Sequence, residues 1–412
     1  MADWFAAKQT SADEKRTARD EIPFSSRRSS VVCRNGCVAS SQPLASSIGV
    51  DILKRGGNAA DASIAVAAAL CVTEPCSTGL GGDMFCLYYD SKKSEVDCIN
   101  GSGYSPERLT LDVLRKDFPD GKGGVDADKF MLSAHSVTVP GAAKGYDDLL
   151  QKHGTGKFTL AELLEPAAKL AEEGFPVGPL TSYHWCAGIN KQVRLWVEEG
   201  EKIPLTVDGK RGPSPGEIIY NPDLAKVLRK LGKDGAAKGF YEGTTGQAIV
   251  DAVQKHGGTM TMDDLKYQNC SFPKPCFAEY RDVKLWQVPP NGQGIAGLIA
   301  LKGLAHLEGK NIVNISPETV GKAEVYHAMI EMMRLGFSDG RSHIADEAHM
   351  SVSVDRLLDS KRINERAEAL FDPQKATIAG TPISSSCTVS FQVADKDGNA
   401  ISFVNSNFMG FG

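Results

Sequence analysis

The sequence predicts an α+β fold in which helices flank a β-sheet, and three observations carry that reading. Alternating strand pairs lie near both ends of the chain, over Met84–Asn100 and Thr388–Ser406. The long stretch between them is dominated by helical spacing. An alanine-rich helix pair precedes the first hairpin. Helices of small residues let neighbouring backbones approach closely, which places that pair at the centre.

The chain has 412 residues, of which 42% are hydrophobic. Single cores rarely grow beyond roughly 250–300 residues, so two lobes or one elaborate layered domain are both open. Hairpins at both ends with helices between them favour one layered α+β domain with its sheet between helices.

Residues 1–30 are rich in charge and serine, with Asp13-Glu14-Lys15-Arg16 in the middle, and read as a mobile arm rather than a leader. Leu44, Ile48, Ile52 and Leu53 then recur at helical spacing, and Gly56-Gly57 closes that helix. Asn58 starts a second helix, Ala59 to Val72, closed by Glu74-Pro75. Met84–Tyr89 and Val96–Asn100 form a hairpin through Asp90–Lys93. Thr159-Leu160-Ala161-Glu162 is a capping box, and its helix runs to Glu173 before Gly174. Further helices are expected at Asp223–Leu231, Thr245–His256 and Ala323–Leu335, with a strand at Val283–Val288. The last hairpin alternates Val389, Phe391 and Val393, turns through Asp395–Asn399, and returns over Ala400–Ser406. Its Asp-Gly pair favours the positive φ that tight hairpins need.

The formal charge of −5 and the pI near 6.0 ask for neither nucleic acid nor an anionic membrane as partner. No stretch approaches the roughly 20 apolar residues of a membrane span, so a cytoplasmic protein is expected. The ten cysteines form no C-x-x-C pair, and several lie in apolar runs, which reads as reduced, buried thiols. No cofactor or metal is expected. Gly79-Leu80-Gly81-Gly82-Asp83 precedes a strand instead of joining strand to helix, so it reads as a tight turn and not a phosphate cradle. Gly154-Thr155-Gly156-Lys157 lacks the first glycine and final hydroxyl of a P-loop. His343, Asp346 and His349 read as a solvated helix-end cluster. On spacing alone, Thr388 is a hydroxyl entering a strand after an exposed loop.

The segment Thr388-Val-Ser-Phe-Gln-Val-Ala-Asp-Lys-Asp-Gly-Asn399 resembles the γ-glutamyltranspeptidase signature, a Thr followed after seven residues by Asp-x-x-Gly-Asn. Other pieces agree in order: Leu44 through Gly56-Gly57-Asn58-Ala59-Ala60-Asp61-Ala62, Thr78 to Asp83, Val139-Pro140-Gly141, Leu163 to Gly174, and Pro289-Pro290-Asn291-Gly292-Gln293-Gly294. The resemblance covers nearly everything from about residue 30 onward and is strongest to the family's leaderless branch.

That resemblance implies an N-terminal-nucleophile hydrolase with an αββα layered sandwich, here incomplete at the C-terminus. It divides the chain into a large-subunit-like region, 31–387, and the start of a small-subunit-like region, 388–412. It implies self-cleavage between Cys387 and Thr388, with Thr388 as nucleophile and Ser406, eighteen residues on, as the hydroxyl that orients it. The implied partners are a small γ-glutamyl compound such as glutathione and the chain's own small-subunit segment. Two features depart from the pattern. Tyr104 stands where the leaderless branch carries an arginine for the substrate carboxylate, with Arg108 as the candidate to compensate. Phe408 stands where many members carry Asn, and Asn407 is one residue off. Family members also continue well past the Phe411-Gly412 match, so an inactive fragment of a γ-glutamyl hydrolase or transferase precursor is expected. The alternative is a catalytically dead member that serves as a binding or scaffold protein.

Overall fold

A computed structural model describes residues 30–412 apart from 192, 194–196, 198–199, 378–387, 409 and 412. The expected N-terminal arm, save Ser30, and the cleavage-side Cys387 lie outside the described residues. The chain divides into two compact units. The larger comprises Asn35–Phe277, Trp286–Gly292 and Ile383–Gly412, and the smaller comprises Met1–Arg34, Ala278–Leu285 and Gln293–Pro382.

The larger unit is built on a five-stranded antiparallel sheet. Its strands are β1 (Gly36–Ala39), β2 (Asp83–Asp90), β3 (Glu95–Gly101), β4 (Val389–Asp395) and β5 (Ala400–Ser406), in the order β1-β4-β5-β2-β3. Strands far apart in sequence therefore meet, because the Val389–Ser406 hairpin inserts between β1 and the β2–β3 hairpin. Burial alternates along β4 and β5 as the sequence pattern requires, with Val389, Phe391 and Val393 inward and Ile401 and Phe403 beside them. The Phe391 and Phe403 rings stack at 4.8 Å.

Helices α1 (Pro43–Lys54) and α2 (Ala59–Thr73) pack together behind this sheet. Every residue of α2 is buried, which its small side chains permit. Asn58 caps it: its side-chain oxygen accepts from the Ala60 and Asp61 backbone amides, and Asp61 answers by accepting from the Asn58 amide. Asp61 is itself buried and accepts from Thr155 Oγ1 at 2.7 Å. Helix α3 (Ala142–His153) packs against α2 and the β2–β3 hairpin. Helix α4 (Leu160–Glu173) follows the expected Thr159–Glu162 capping box, and α5 (Pro222–Ala236) packs on it. The opposite face of the sheet carries an apolar cleft of about 320 Å³, lined by Leu87, Tyr89, Gln392, Ala400 and Trp286 among others.

In the smaller unit, α6 (Gly294–Gly309) packs against α7 (Ala323–His343) and α8 (Ser360–Leu370). Asp339 is buried and accepts from Arg362 and Arg366, at 2.8 and 2.6 Å. Burial pushes its carboxyl up, but the two guanidiniums outweigh that and hold it below its ordinary value. His343 ends α7, and Asp346 caps the short turn that contains His349. Cys71, Cys76, Cys86 and Cys98 are buried. No helix among the described residues is long and apolar enough to cross a membrane.

Candidate active site

The register of the sheet assembles the site. Asp83 pairs with Ser406 across β2 and β5, and Val389 pairs with Asn405 across β4 and β5. Thr388, one residue before Val389, therefore falls opposite Ser406. Their hydroxyls lie 2.7 Å apart, hydrogen-bond distance. Thr388 is exposed, at the mouth of a strand whose next residues are locked into the core. A nucleophile placed there is rigid in its backbone and open at its side chain.

The strand end that carries Ser406 is held from behind. Asn405 is fully buried at a position where alternation calls for an apolar side chain. Its oxygen accepts from the Tyr146 hydroxyl of α3, and its amide nitrogen donates to the Asp83 carbonyl at 2.8 Å. Burial raises the Tyr146 phenol well above its ordinary value, so the group remains a donor. Asn407 donates from its backbone to Ser77 O at 3.1 Å and from its side chain to Pro75 O at 3.0 Å. Its side chain is therefore committed to the turn behind the strand.

The Asp395 carboxylate fixes the other end of the hairpin. It accepts from the backbone amides of Asp397 and Asn399, from the Asn399 side chain, and from the Ala59 amide at the start of α2. The Asp-x-x-Gly-Asn pattern thus has a local cause. Asp395 closes the turn and pins it to the central helix, while Gly398 supplies a φ of 84°.

The sequence profile of the family described as Gamma-glutamyltranspeptidase matches residues 45–412. The chain belongs to the γ-glutamyltranspeptidase family. It is 34% identical over 386 residues to the Glutathione hydrolase-like YwrD proenzyme of Bacillus subtilis, covering 93% of this chain and 69% of that protein. It is 30% identical to the Glutathione hydrolase proenzyme of the same organism, covering 91% and 65%. Among solved structures it resembles a cephalosporin acylase from Bacillus halodurans, with a TM-score of 0.80 at 35% identity, covering 95% of this chain and 69% of that one. It also resembles the Helicobacter pylori γ-glutamyltranspeptidase, with a TM-score of 0.75 at 26% identity, covering 85% and 95%. These neighbours share the layered fold of the N-terminal-nucleophile hydrolases that the sequence led us to expect.

Within this γ-glutamyltranspeptidase family member, Tyr104 is half exposed, and its carbonyl accepts from Val139 N at 2.9 Å. Arg108 is exposed and acts electrostatically on Asp264, with no hydrogen bond or ion pair to the Thr388–Ser406 pair among the described residues. Phe408 is exposed. Sequence reading missed Asp83, Tyr146, Asn405 and Asn291. A polar residue on the buried side of an alternating strand was the available signal for Asn405. Asn291 donates to Ser102 Oγ at 2.8 Å and accepts from Asn100 at 2.9 Å, which ties the Pro-Pro-Asn-Gly loop to the end of β3.

Gly82 marks a tight approach behind the Thr388–Ser406 pair. A Cβ there would lie 2.0 Å from the Ser406 carbonyl oxygen. Backbone must move to admit it. Gly82→Ala is expected to cost about 2–3 kcal/mol of stability, as overpacked sites do. It should also lower any Thr388-dependent acylation about tenfold, because a misplacement of the order of 1 Å at a reacting centre carries a penalty at least that large. Urea unfolding together with acylation rates checks both. A variant that matches the parent in both would show that the 82–406 contact does not position Ser406.

Proposed function

We propose that this protein is the precursor of a γ-glutamyl hydrolase or transferase, with Thr388 as nucleophile and Ser406 as the hydroxyl that orients it. The observation that carries the reading is the 2.7 Å contact of Thr388 Oγ1 with Ser406 Oγ at the mouth of a central strand. In the processing step, Thr388 Oγ attacks the carbonyl carbon of Cys387. The peptide C–N bond breaks as an ester forms, and the proton lost by the hydroxyl passes to the nitrogen, which becomes the Thr388 α-amine. Water then hydrolyses the ester, which releases the Cys387 carboxylate and restores the Thr388 hydroxyl. The boundary between 387 and 388 is thus a division of processing, between the large-subunit-like region and the small-subunit-like segment that remains its partner.

A free α-amine has a reference pKa of about 7.7–8.0, so near neutral pH a useful fraction is unprotonated. It takes the proton from the Thr388 hydroxyl as the oxygen attacks a γ-glutamyl carbonyl, such as that of glutathione. The proton passes to the leaving amine, the amide bond breaks, and an acyl-Thr388 ester forms. Water or an acceptor amine then releases the γ-glutamyl group. Tyr104 and Arg108 are the proposed donor-binding residues, and a cytoplasmic location belongs to the same proposal. The second reading, a catalytically dead binding or scaffold member, draws on Tyr104, whose side chain supplies no charge for a carboxylate.

N-terminal sequencing of the incubated protein tests the processing step. The expected smaller fragment begins at Thr388, and Thr388→Ala stays whole. A cut before Cys387 or Ser386 would move the nucleophile to that residue, and no cut at all in the parent would favour the second reading.

A further inference from the structure

Residue 405 is polar where its row of the sheet is not. Val389, Asn405, Met84 and Gly101 pair in turn across four strands, and all four are buried. Asn405 alone brings polar side-chain atoms to that row, and it is 0% exposed. A buried amide without partners costs more than an apolar side chain, so its partners account for its place.

Those partners form a chain of one polarity. The carbonyls of Asp83 and Gly79 can only accept, at 2.8 and 3.4 Å from the Asn405 nitrogen. The amide therefore turns its nitrogen to them and its oxygen to α3. The Tyr146 hydroxyl gives its single proton to that oxygen, which leaves the Cys71 thiol, 3.5 Å away, as the donor to Tyr146. Burial pushes the Cys71 thiol up to about 11, so it keeps its proton. Helix α3 delivers the phenol by lying close on the sheet. A Cβ at Gly145 would run into the Met84 side chain, and the Tyr146 ring leans on Phe403 with centroids 6.2 Å apart.

The chain ends at the residue opposite Ser406. Asp83 and Ser406 form the last pair of β2 with β5, and Asn407 then leaves the sheet to donate to Ser77 O. Strand ends open locally at little cost. The hydroxyl contact with Thr388 needs Ser406 held to within about 0.5 Å. One residue before the end, the Asn405 amide ties β5 to the Asp83 carbonyl of β2.

We infer that Tyr146 is a positioning residue: its phenol, acting through Asn405, holds the end of β5 so that the Ser406 hydroxyl stays at hydrogen-bond distance from Thr388. The inference rests on the reading of Thr388 as the acylated residue. It goes beyond that reading by giving a helix residue that never meets the substrate a part in the rate.

Tyr146→Phe keeps the ring and removes the donor. Melting curves should show Tm lowered by about 5 °C, and acylation of Thr388 by γ-glutamyl p-nitroanilide should slow about tenfold. Affinity for the anilide, measured by ligand-observed NMR, should stay within about twofold, because the network lies behind the sheet. Tyr146→Phe combined with Asn405→Leu separates positioning from stability. Removing both partners of a buried hydrogen bond for apolar groups is nearly neutral, so most of the Tm should return while acylation stays slow. Acylation at the parental rate in Tyr146→Phe, a rate that recovers together with Tm in the double variant, or a loss carried by affinity in place of rate would each overturn the inference. Crystal structures of the parent and of Tyr146→Phe read the Thr388–Ser406 contact without turnover. A parent that never acylates would sink the hydrolase reading. The structures would then decide the inference: a contact parted in Tyr146→Phe sustains it, and an unchanged one overturns it.

Discussion

Thr388→Ala is expected to abolish acyl-enzyme formation with γ-glutamyl p-nitroanilide, a loss of roughly 10⁴-fold or more relative to the parent. The size follows from what is removed. In the proposed reaction the hydroxyl is both the attacking atom and the group whose proton the α-amine would take, so nothing of the two-step path would survive without it. Ser406→Ala removes only the hydroxyl held 2.7 Å from it. One hydrogen bond between hydroxyls contributes about 1 kcal/mol, so that variant should lose roughly fivefold to tenfold. Thr388→Ser keeps the nucleophilic oxygen and should fall between the two. Intact mass after mixing reads the γ-glutamyl adduct directly, and the anilide burst gives its rate. An alanine variant that still takes up the acyl group at the parental rate would place the nucleophile elsewhere. A Ser406→Ala loss as large as that of Thr388→Ala would make Ser406 a chemical participant in place of an orienting one.

The sequence made the strand that follows Thr388 legible because its signal is local. Val389, Phe391 and Val393 alternate over a sheet core, and Asp-Gly announces the turn. The same alternation could not announce β1, whose four residues, Gly36–Ala39, are too few to show a period. Helix α7 was expected to stop at Leu335 but runs to His343. Gly336 and Gly340 lie inside it, and Gly336 has a packing reason. A Cβ there would come within 2.2 Å of the Ala296 carbonyl oxygen of α6, so close helix contact calls for glycine where propensity alone discourages it. The site divides along similar lines. Thr388 and Ser406 were found through a motif, and their contact followed from the strand pairing. Asp83 and Tyr146 carry no local signal. They join the site only once the C-terminal hairpin inserts beside β2 and α3 packs behind it, pairings with partners hundreds of residues away in sequence.

Asp395→Ala should lower the stability of the larger unit by about 3–5 kcal/mol, the range for leaving several buried polar groups without their charged partner. Asp395 is 7% exposed, and its two oxygens serve four donors. Three of those are backbone amides: Asp397 and Asn399 in the turn, and Ala59 in the first turn of α2. Alanine supplies no acceptor, and the amides cannot all reach water without opening the turn. The negative charge is lost as well at the N-terminal end of a helix whose dipole favours it. Asp395→Asn separates these effects. Its single oxygen can serve only the donors on one side, while its NH₂ group faces donors on the other, so about 1.5–3 kcal/mol should still be lost. Urea unfolding followed by circular dichroism gives both values. The turn also sets the register of Thr388 against Ser406 at the far end of the hairpin. The alanine variant should therefore lose Thr388 acylation under conditions in which its helices remain folded. Stability within about 1 kcal/mol of the parent would mean that water replaces the carboxylate at this turn, and that the Asp-x-x-Gly-Asn pattern answers to something other than the closure described above.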